Sequence, residues 1–115
     1  MLHCMIKFTP TPAFKTSAKQ LAKRYPSFRN DFEEFLKSLE KNPNQGTPLA
    51  GGFRKIRMAI TSKSKGKSGG ARIISLNCLV TEKDGEIFLV QVYDKSEAES
   101  ISIKEIRKAF ATLTK

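Results

Sequence analysis

The chain has 115 residues, 39% of them hydrophobic and 28% charged, which is typical of one globular domain spanning residues 1–115. It carries 21 Lys and Arg against 11 Asp and Glu, a formal net charge of +10, so we expect a polyanionic partner. No segment is apolar enough to cross a membrane, and no Cys and His spacing suggests a metal site. We therefore expect no membrane association and no cofactor.

The first residues, MLHCMIKF, are too short and too polar for the apolar core of a signal peptide. We therefore expect a cytoplasmic protein in which Cys4 and Cys78, each in an apolar strand-like context, are reduced core residues. A chain of this length can bury roughly two thirds of its unfolded surface without a metal or a disulfide.

A short strand and two amphipathic helices are predicted first. Met5–Thr9 is strand-like, and Thr11 can cap a helix that has Pro12 at its first position. Pro26 ends this helix, and Ser27 can cap the next one. Apolar residues recur at helical spacing in both helices, at Phe14, Ala18, Leu21, Ala22 and Tyr25 and then at Phe28, Phe32, Phe35, Leu36 and Leu39.

A basic run follows a predicted loop at residues 42–52. Alternation predicts a strand from Phe53, with Ile56, Met58 and Ile60 facing a core and two cations facing the other way. Such a strand fits a phosphate backbone, and a solvated face is the alternative reading of any charge run. No acid lies between residues 54 and 72, where seven of the 21 Lys and Arg stand: Arg54, Lys55, Arg57, Lys63, Lys65, Lys67 and Arg72.

Two more strands and a helix complete the chain. Residues 71–80 are almost entirely apolar, which favours a central strand, and Arg72 is unusual there unless an anion meets it. Residues 83–85 indicate a hairpin before a strand at Ile87–Tyr93. Ser102 and Glu105 form a capping box before the last helix. The predicted fold class is α+β, with a small antiparallel sheet (a short N-terminal strand plus a three-stranded meander) packed with two N-terminal helices and a C-terminal helix.

Three segments, GTPLAGGFRKIRMA, GKSGGARII and VYDKSE, resemble toxins of the RelE/ParE superfamily of type II toxin–antitoxin systems, on the RelE/HigB side. The matching core runs from about Gly46 to Glu97, and the element order fits over nearly the whole length. The resemblance implies a small α+β ribonuclease fold and cleavage of mRNA in the A site of the 30S ribosomal subunit, which inhibits translation. It also implies neutralisation by a cognate antitoxin from an adjacent gene.

Catalytic residues are carried over from this resemblance by position. Lys55 and Arg57 resemble the paired cations of the family's basic strand, and Arg72 resembles the arginine that opens the next strand. Lys95 lies in the segment after the last strand, which completes the site in the family.

The sequence departs from the RelE pattern at two positions. Ser96 stands where an arginine is often found, and Ser102 stands near the place of a C-terminal tyrosine that stacks on the base. Tyr93 is the candidate replacement for that tyrosine, although a half-buried strand residue is the other reading of its position.

Cleavage of RNA without a metal uses the neighbouring 2′-hydroxyl as the nucleophile and needs a base, charge stabilisation and an acid. Arginine stays protonated, so Arg57 and Arg72 can stabilise or orient the phosphate. Lysine releases a proton more readily, which makes Lys55 the candidate base, with Glu97 as the alternative. Lys95 or Arg57 would face the leaving oxygen. His3 is the single histidine, so composition excludes a mechanism with two histidines.

Two other functions stay open at this stage. The first is inhibition of DNA gyrase, as by ParE-type toxins, and the second is binding of nucleic acid or antitoxin with little or no cleavage.

An untethered cation cluster contributes to RNA binding mainly through the phosphate backbone. The predicted RNA-binding residues are Arg54, Lys63, Lys65, Lys67 and Tyr93.

Overall fold

The computed structural model describes residues 5–63, 69–81, 83–98 and 100–114, and it confirms the α+β class. In these residues five strands form one mixed sheet, flanked by three α-helices. The elements are β1 (Met5–Pro10), α1 (Pro12–Arg24), α2 (Phe28–Lys41), β2 (Thr47–Pro48), β3 (Phe53–Met58), β4 (Ala71–Leu79), β5 (Asp84–Asp94) and α3 (Ile103–Ala111). None of the described helices is long and apolar enough to span a bilayer.

The three predicted helix starts are confirmed, and two of the three cap residues form the capping hydrogen bond. The Thr11 hydroxyl accepts the Phe14 N–H at 3.0 Å, and the Ser102 hydroxyl accepts the Glu105 N–H at 3.1 Å. Ser27 stands at the cap position of α2 but forms no such bond. Its hydroxyl donates instead to Asp31 at 2.7 Å.

The sheet differs from the predicted antiparallel four-stranded sheet in two ways. Its order is β1-β5-β4-β3-β2, with β4 in the predicted central position and β3, β4 and β5 antiparallel. However, β1 pairs in parallel with β5, so the sheet is mixed. A short turn makes neighbouring strands antiparallel and can be recognised in the sequence. The pairing of β1 with a strand almost 80 residues later has no such local signal.

The second difference is β2, a two-residue strand inside the predicted loop. Thr47 pairs with Lys55, and Pro48 pairs with Arg54. Gly46 allows this close approach because its φ is +95° and an added Cβ would lie 2.5 Å from the Lys55 carbonyl oxygen. A strand this short leaves no periodicity for sequence analysis to detect.

Each face of the sheet is covered by a different helical layer. The apolar stripes of α1 and α2 pack on one face, where Ile56, Met58 and Ile73 contribute from the strands. The other face packs against α3 through Phe53 and Ile74. Burial of residues 71–75 on both faces explains the near-continuous apolar run of β4.

The predicted burial of Cys78 is wrong. Its side chain is exposed, opposite Glu86 in the β4–β5 ladder and close to the hairpin between these strands. Val80, two residues further on, is also largely exposed, so this end of the hairpin extends beyond the packed core. Cys4 lies outside the described residues.

Candidate functional site

The four predicted catalytic residues line one pocket at the β3 side of the sheet. The pocket has a volume of about 290 Å³, and four of its five lining side chains are cationic while none is acidic. Among the described residues, no ion pair joins Lys55 or Arg57 to a carboxylate. We call it the cation pocket; its lining is Thr47, Lys55, Arg57, Arg72 and Lys95.

Strand register brings these side chains together. Arg57 lies directly opposite Arg72, and Arg72 lies directly opposite Tyr93 on the next strand. Directly opposite residues in antiparallel strands have Cβ atoms about 5 Å apart, so these three side chains form a row across the sheet. Lys55 joins the row from the same face of β3, with Thr47 of β2 opposite it.

Lys95 reaches the pocket because the chain after β5 is held to the start of β4. Its N–H donates to the Gly70 carbonyl oxygen at 3.0 Å. Gly70 must be a glycine here, since an added Cβ would lie 2.1 Å from the Met58 carbonyl oxygen. Gly70, two residues before Arg72, therefore permits the close backbone approach that forms this end of the pocket.

Arg72 is a buried cation, with 5% of its surface exposed. Its Nη1 donates to the Ala71 carbonyl oxygen at 3.2 Å. Burial, followed by the positive charge of Arg57, lowers the pKa of the Arg72 guanidinium, and Tyr93 partly opposes this shift. Two like charges directly opposite in a sheet are destabilising, so this arrangement favours an anion between them.

Tyr93 lies at the border between the cation pocket and the α3 layer. Its ring is half-buried and packs against the apolar cluster beneath α3. Burial raises the pKa of its hydroxyl, and the charge of Arg72 offsets part of the rise. The residue is therefore close to the cations, as predicted, but only part of the ring is accessible to a base.

Arg54 does not share the basic face, although it belongs to the same run of cations. It alternates with Lys55 along β3, and its guanidinium binds the loop before β2. Its Nε donates to the Gln45 carbonyl oxygen at 3.1 Å, and its Nη2 donates to the carbonyls of Asn44 and Gly46. Arg54 thus stabilises the loop that carries Thr47 into the pocket.

Lys63 is not the untethered loop cation that the sequence suggested. Its Nζ lies 2.6 Å from Oδ1 of Asp94, and their side chains are 9% and 0% exposed, respectively. The ammonium also lies 5.5 Å from the centre of the Tyr25 ring. A side chain held in this way has little freedom to contact RNA. Lys65, Lys67 and His3 lie outside the described residues.

Asp94 is a buried carboxylate that the sequence analysis missed. Its Oδ1 accepts from Lys63 and from the N–H and hydroxyl of Ser96, at 2.6, 2.9 and 2.8 Å. Its Oδ2 accepts from the Tyr25 hydroxyl at 2.5 Å and from Arg24 at 3.3 Å. Burial alone would raise the pKa of Asp94, but these hydrogen bonds, led by Lys63, bring it far below its usual range.

Both departures from the RelE pattern have structural roles. Ser96 binds Asp94 through its backbone and its hydroxyl, and Ser102 caps α3. Glu97, the alternative base, forms an ion pair with Arg24 at the surface.

Two residues that matter for the site, Thr47 in the pocket and Asp94 behind it, were not predicted from the sequence. Thr47 lies in a glycine- and proline-rich stretch that reads as an ordinary loop. Asp94 had a usable signal, because an acid that closes a buried apolar strand needs a partner.

No known family model matches this chain. Among the described residues, no group of three or more His, Cys, Asp and Glu is arranged to hold a metal ion.

Proposed function

We propose that this protein is an endoribonuclease toxin of a type II toxin–antitoxin pair, of the RelE/HigB kind, that cleaves mRNA on the ribosome. One observation carries the proposal: four cations from three separate segments of the chain, Lys55 and Arg57, Arg72, and Lys95, line one pocket. A pocket of this charge suits the phosphate of a polynucleotide. Such a protein acts in the cytoplasm, where the ribosomes are.

The pocket supplies the groups that transesterification requires. Lys55 in its neutral form takes the proton of the 2′-hydroxyl while the 2′-oxygen forms a bond to phosphorus. Arg57 and Arg72 stabilise the charge that develops on the phosphoryl oxygens. The P–O5′ bond breaks, and Lys95 donates a proton to the leaving oxygen. The products are a 2′,3′-cyclic phosphate and a 5′-hydroxyl.

The antitoxin partner is proposed from a second surface. An apolar groove of about 620 Å³ lies between β1, α1 and α2, lined among others by Phe8, Phe14 and Phe32. Lys15, Lys19 and Arg29 stand along it with one acid, Glu33, so an amphipathic helix with acidic flanks would fit. The groove and the cation pocket lie on opposite faces of the sheet. A partner seated in the groove would therefore need a further segment to mask the pocket.

Inducible expression tests the proposal, with growth followed and transcript 5′ ends mapped. We expect growth arrest and new 5′-hydroxyl ends within translated codons, and no arrest when the adjacent gene is co-expressed. The Arg72→Ala variant should abolish growth arrest and the new transcript ends at equal expression. Lys41→Gln, at the end of α2 and outside both the pocket and the groove, should abolish neither.

Normal growth with no new transcript ends would contradict the nuclease proposal. Arrest without new ends would point to one of the non-cleaving alternatives. A DNA supercoiling assay then separates gyrase inhibition from simple nucleic-acid binding.

A further inference from the structure

Asp94 lies between two residues of the proposed site but faces away from it. Its neighbours in sequence, Tyr93 and Lys95, border or line the cation pocket. Asp94 itself stands opposite Ala71, whose side chain belongs to the α1/α2 core. The carboxylate is therefore on the other face of the sheet, where substrate in the pocket does not touch it.

This carboxylate joins three segments that are distant in sequence. It accepts from Arg24 and Tyr25 at the end of α1, from Lys63 in the turn after β3, and from Ser96 in the turn after β5. A second carboxylate, Asp31, accepts the N–H of Thr61 at 2.8 Å and so fixes the same turn after β3. One buried anion thus links the turn after β5, which carries Lys95, to the end of α1 and to the turn after β3.

We propose that Asp94 is a positioning residue for the cation pocket, acting through Lys95 and the turn that contains Lys63. The proposal rests on the nuclease function proposed above. Lys95 follows Asp94 directly, and its N–H donates to the carbonyl oxygen of Gly70, just before β4. Loss of the carboxylate removes the acceptor of both the Ser96 N–H and the Lys63 ammonium. The backbone at Lys95, which lies between Asp94 and Ser96, is then less restrained. A displacement of about 1 Å at a reacting group can cost about 100-fold in rate.

The negative charge matters here, beyond the shape of the side chain. Lys63 is almost completely buried, and a buried ammonium without its carboxylate is strongly unfavourable. In Asp94→Asn an amide of the same size remains, so packing is kept while the charge is lost. This variant therefore separates the electrostatic role of Asp94 from its volume.

Single-turnover cleavage of a short RNA tests the proposal, with the RNA dissociation constant measured separately. We expect Asp94→Asn to lower the rate at saturating RNA by about 10- to 100-fold. Its RNA affinity should change less than about threefold, because Asp94 makes no RNA contact. The matched control is Glu34→Gln, which removes the exposed Glu34–Lys37 pair and should leave both values unchanged.

A double variant, Asp94→Leu with Lys63→Met, distinguishes positioning from simple stabilisation. Replacing both charges with apolar side chains should restore much of the folding stability. The cleavage rate should stay low, because Ser96 and Tyr25 still lack their acceptor. Recovery of the rate together with stability would overturn the proposal, as would a single variant that loses affinity but no rate.

If the parent protein does not cleave RNA, the proposed function is refuted, but the positioning role of Asp94 can still be tested. Amide hydrogen exchange provides that test. Exchange at the Lys95 and Ser96 amides should rise at least tenfold in Asp94→Asn, while that at Ile73 in the centre of β4 stays the same. Unchanged protection of Lys95 and Ser96 would overturn the positioning role whatever the activity.

Discussion

Neutralising Arg57 should stabilise the fold and impair the site in the same variant. Arg57 faces Arg72 across the β3–β4 ladder, and its charge lowers the pKa of the buried Arg72 guanidinium. Removing a like charge directly opposite in a sheet is worth about 0.2–1 kcal/mol. Arg57 is exposed, so solvent screening places Arg57→Gln in the lower half of this range, at about 0.5 kcal/mol. For a domain of this size this corresponds to an increase in melting temperature of about 2 °C.

In free-energy terms, Arg57→Gln should weaken RNA binding and cleavage by more than it stabilises the fold. A charge-assisted hydrogen bond to phosphate is worth about 1.5–3 kcal/mol, so RNA affinity should fall roughly 10- to 100-fold. The plot of log K against log salt for a single-stranded RNA should flatten by about 0.7. Loss of one group that stabilises transition-state charge should lower the cleavage rate by about 100- to 1000-fold.

Thermal unfolding, RNA titration across a salt series and single-turnover cleavage measure these three effects. Arg29→Gln on α2 is the matched control, because it removes an exposed arginine on the other side of the sheet. If Arg57→Gln melts below the parent protein and keeps the parent's salt slope, Arg57 is packed as a structural residue. The inference of an anion site from two opposed cations would then be wrong.

Three further predictions follow from the same contacts. Folding lowers the pKa values of Asp94 and Asp31. Their contribution to the free energy of unfolding should therefore be complete above about pH 4 and be lost as the pH falls through the folded-state pKa values. Acid unfolding measures this loss. In Asp94→Asn this acid dependence should be shallower. Lys63→Gln should reduce the free energy of unfolding, measured by urea titration, by about 3–5 kcal/mol. The salt dependence of RNA binding should not change, and a flatter slope would show that Lys63 contacts phosphate. Gly70→Ala should destabilise the fold by more than about 1 kcal/mol, because its Cβ would overlap the Met58 carbonyl; an unchanged melting curve would contradict that contact.

Sequence patterns predicted the elements of the fold better than their pairing. Helical spacing and caps located α1, α2 and α3, and the apolar run located β4 in the centre, because these signals are local. The parallel pairing of β1 with β5 depends on contacts across most of the chain, and β2 has only two residues. Neither can be detected from periodicity.

The site was predictable where alternation and position in the strand determined the facing of a side chain. Alternation predicted Lys55 and Arg57 on one face, the resemblance to RelE/ParE toxins added Arg72, and the three line one pocket. Charge alone was a poor guide for Arg54 and Lys63, because a cation can bind carbonyls or a buried carboxylate of its own chain as readily as RNA. Sequence composition counts such cations without showing which of them the fold has already paired.

The position of the cation pocket follows from a mismatch in length between α3 and the sheet. A helix of nine residues is about 14 Å long, whereas the nine residues of β4 extend about 30 Å. The short helix covers the apolar part of this face, around Phe53 and Ile74, and leaves Lys55 and Arg57 beyond its reach. Because no apolar layer of the described residues covers them, these cations stay accessible to a large anion.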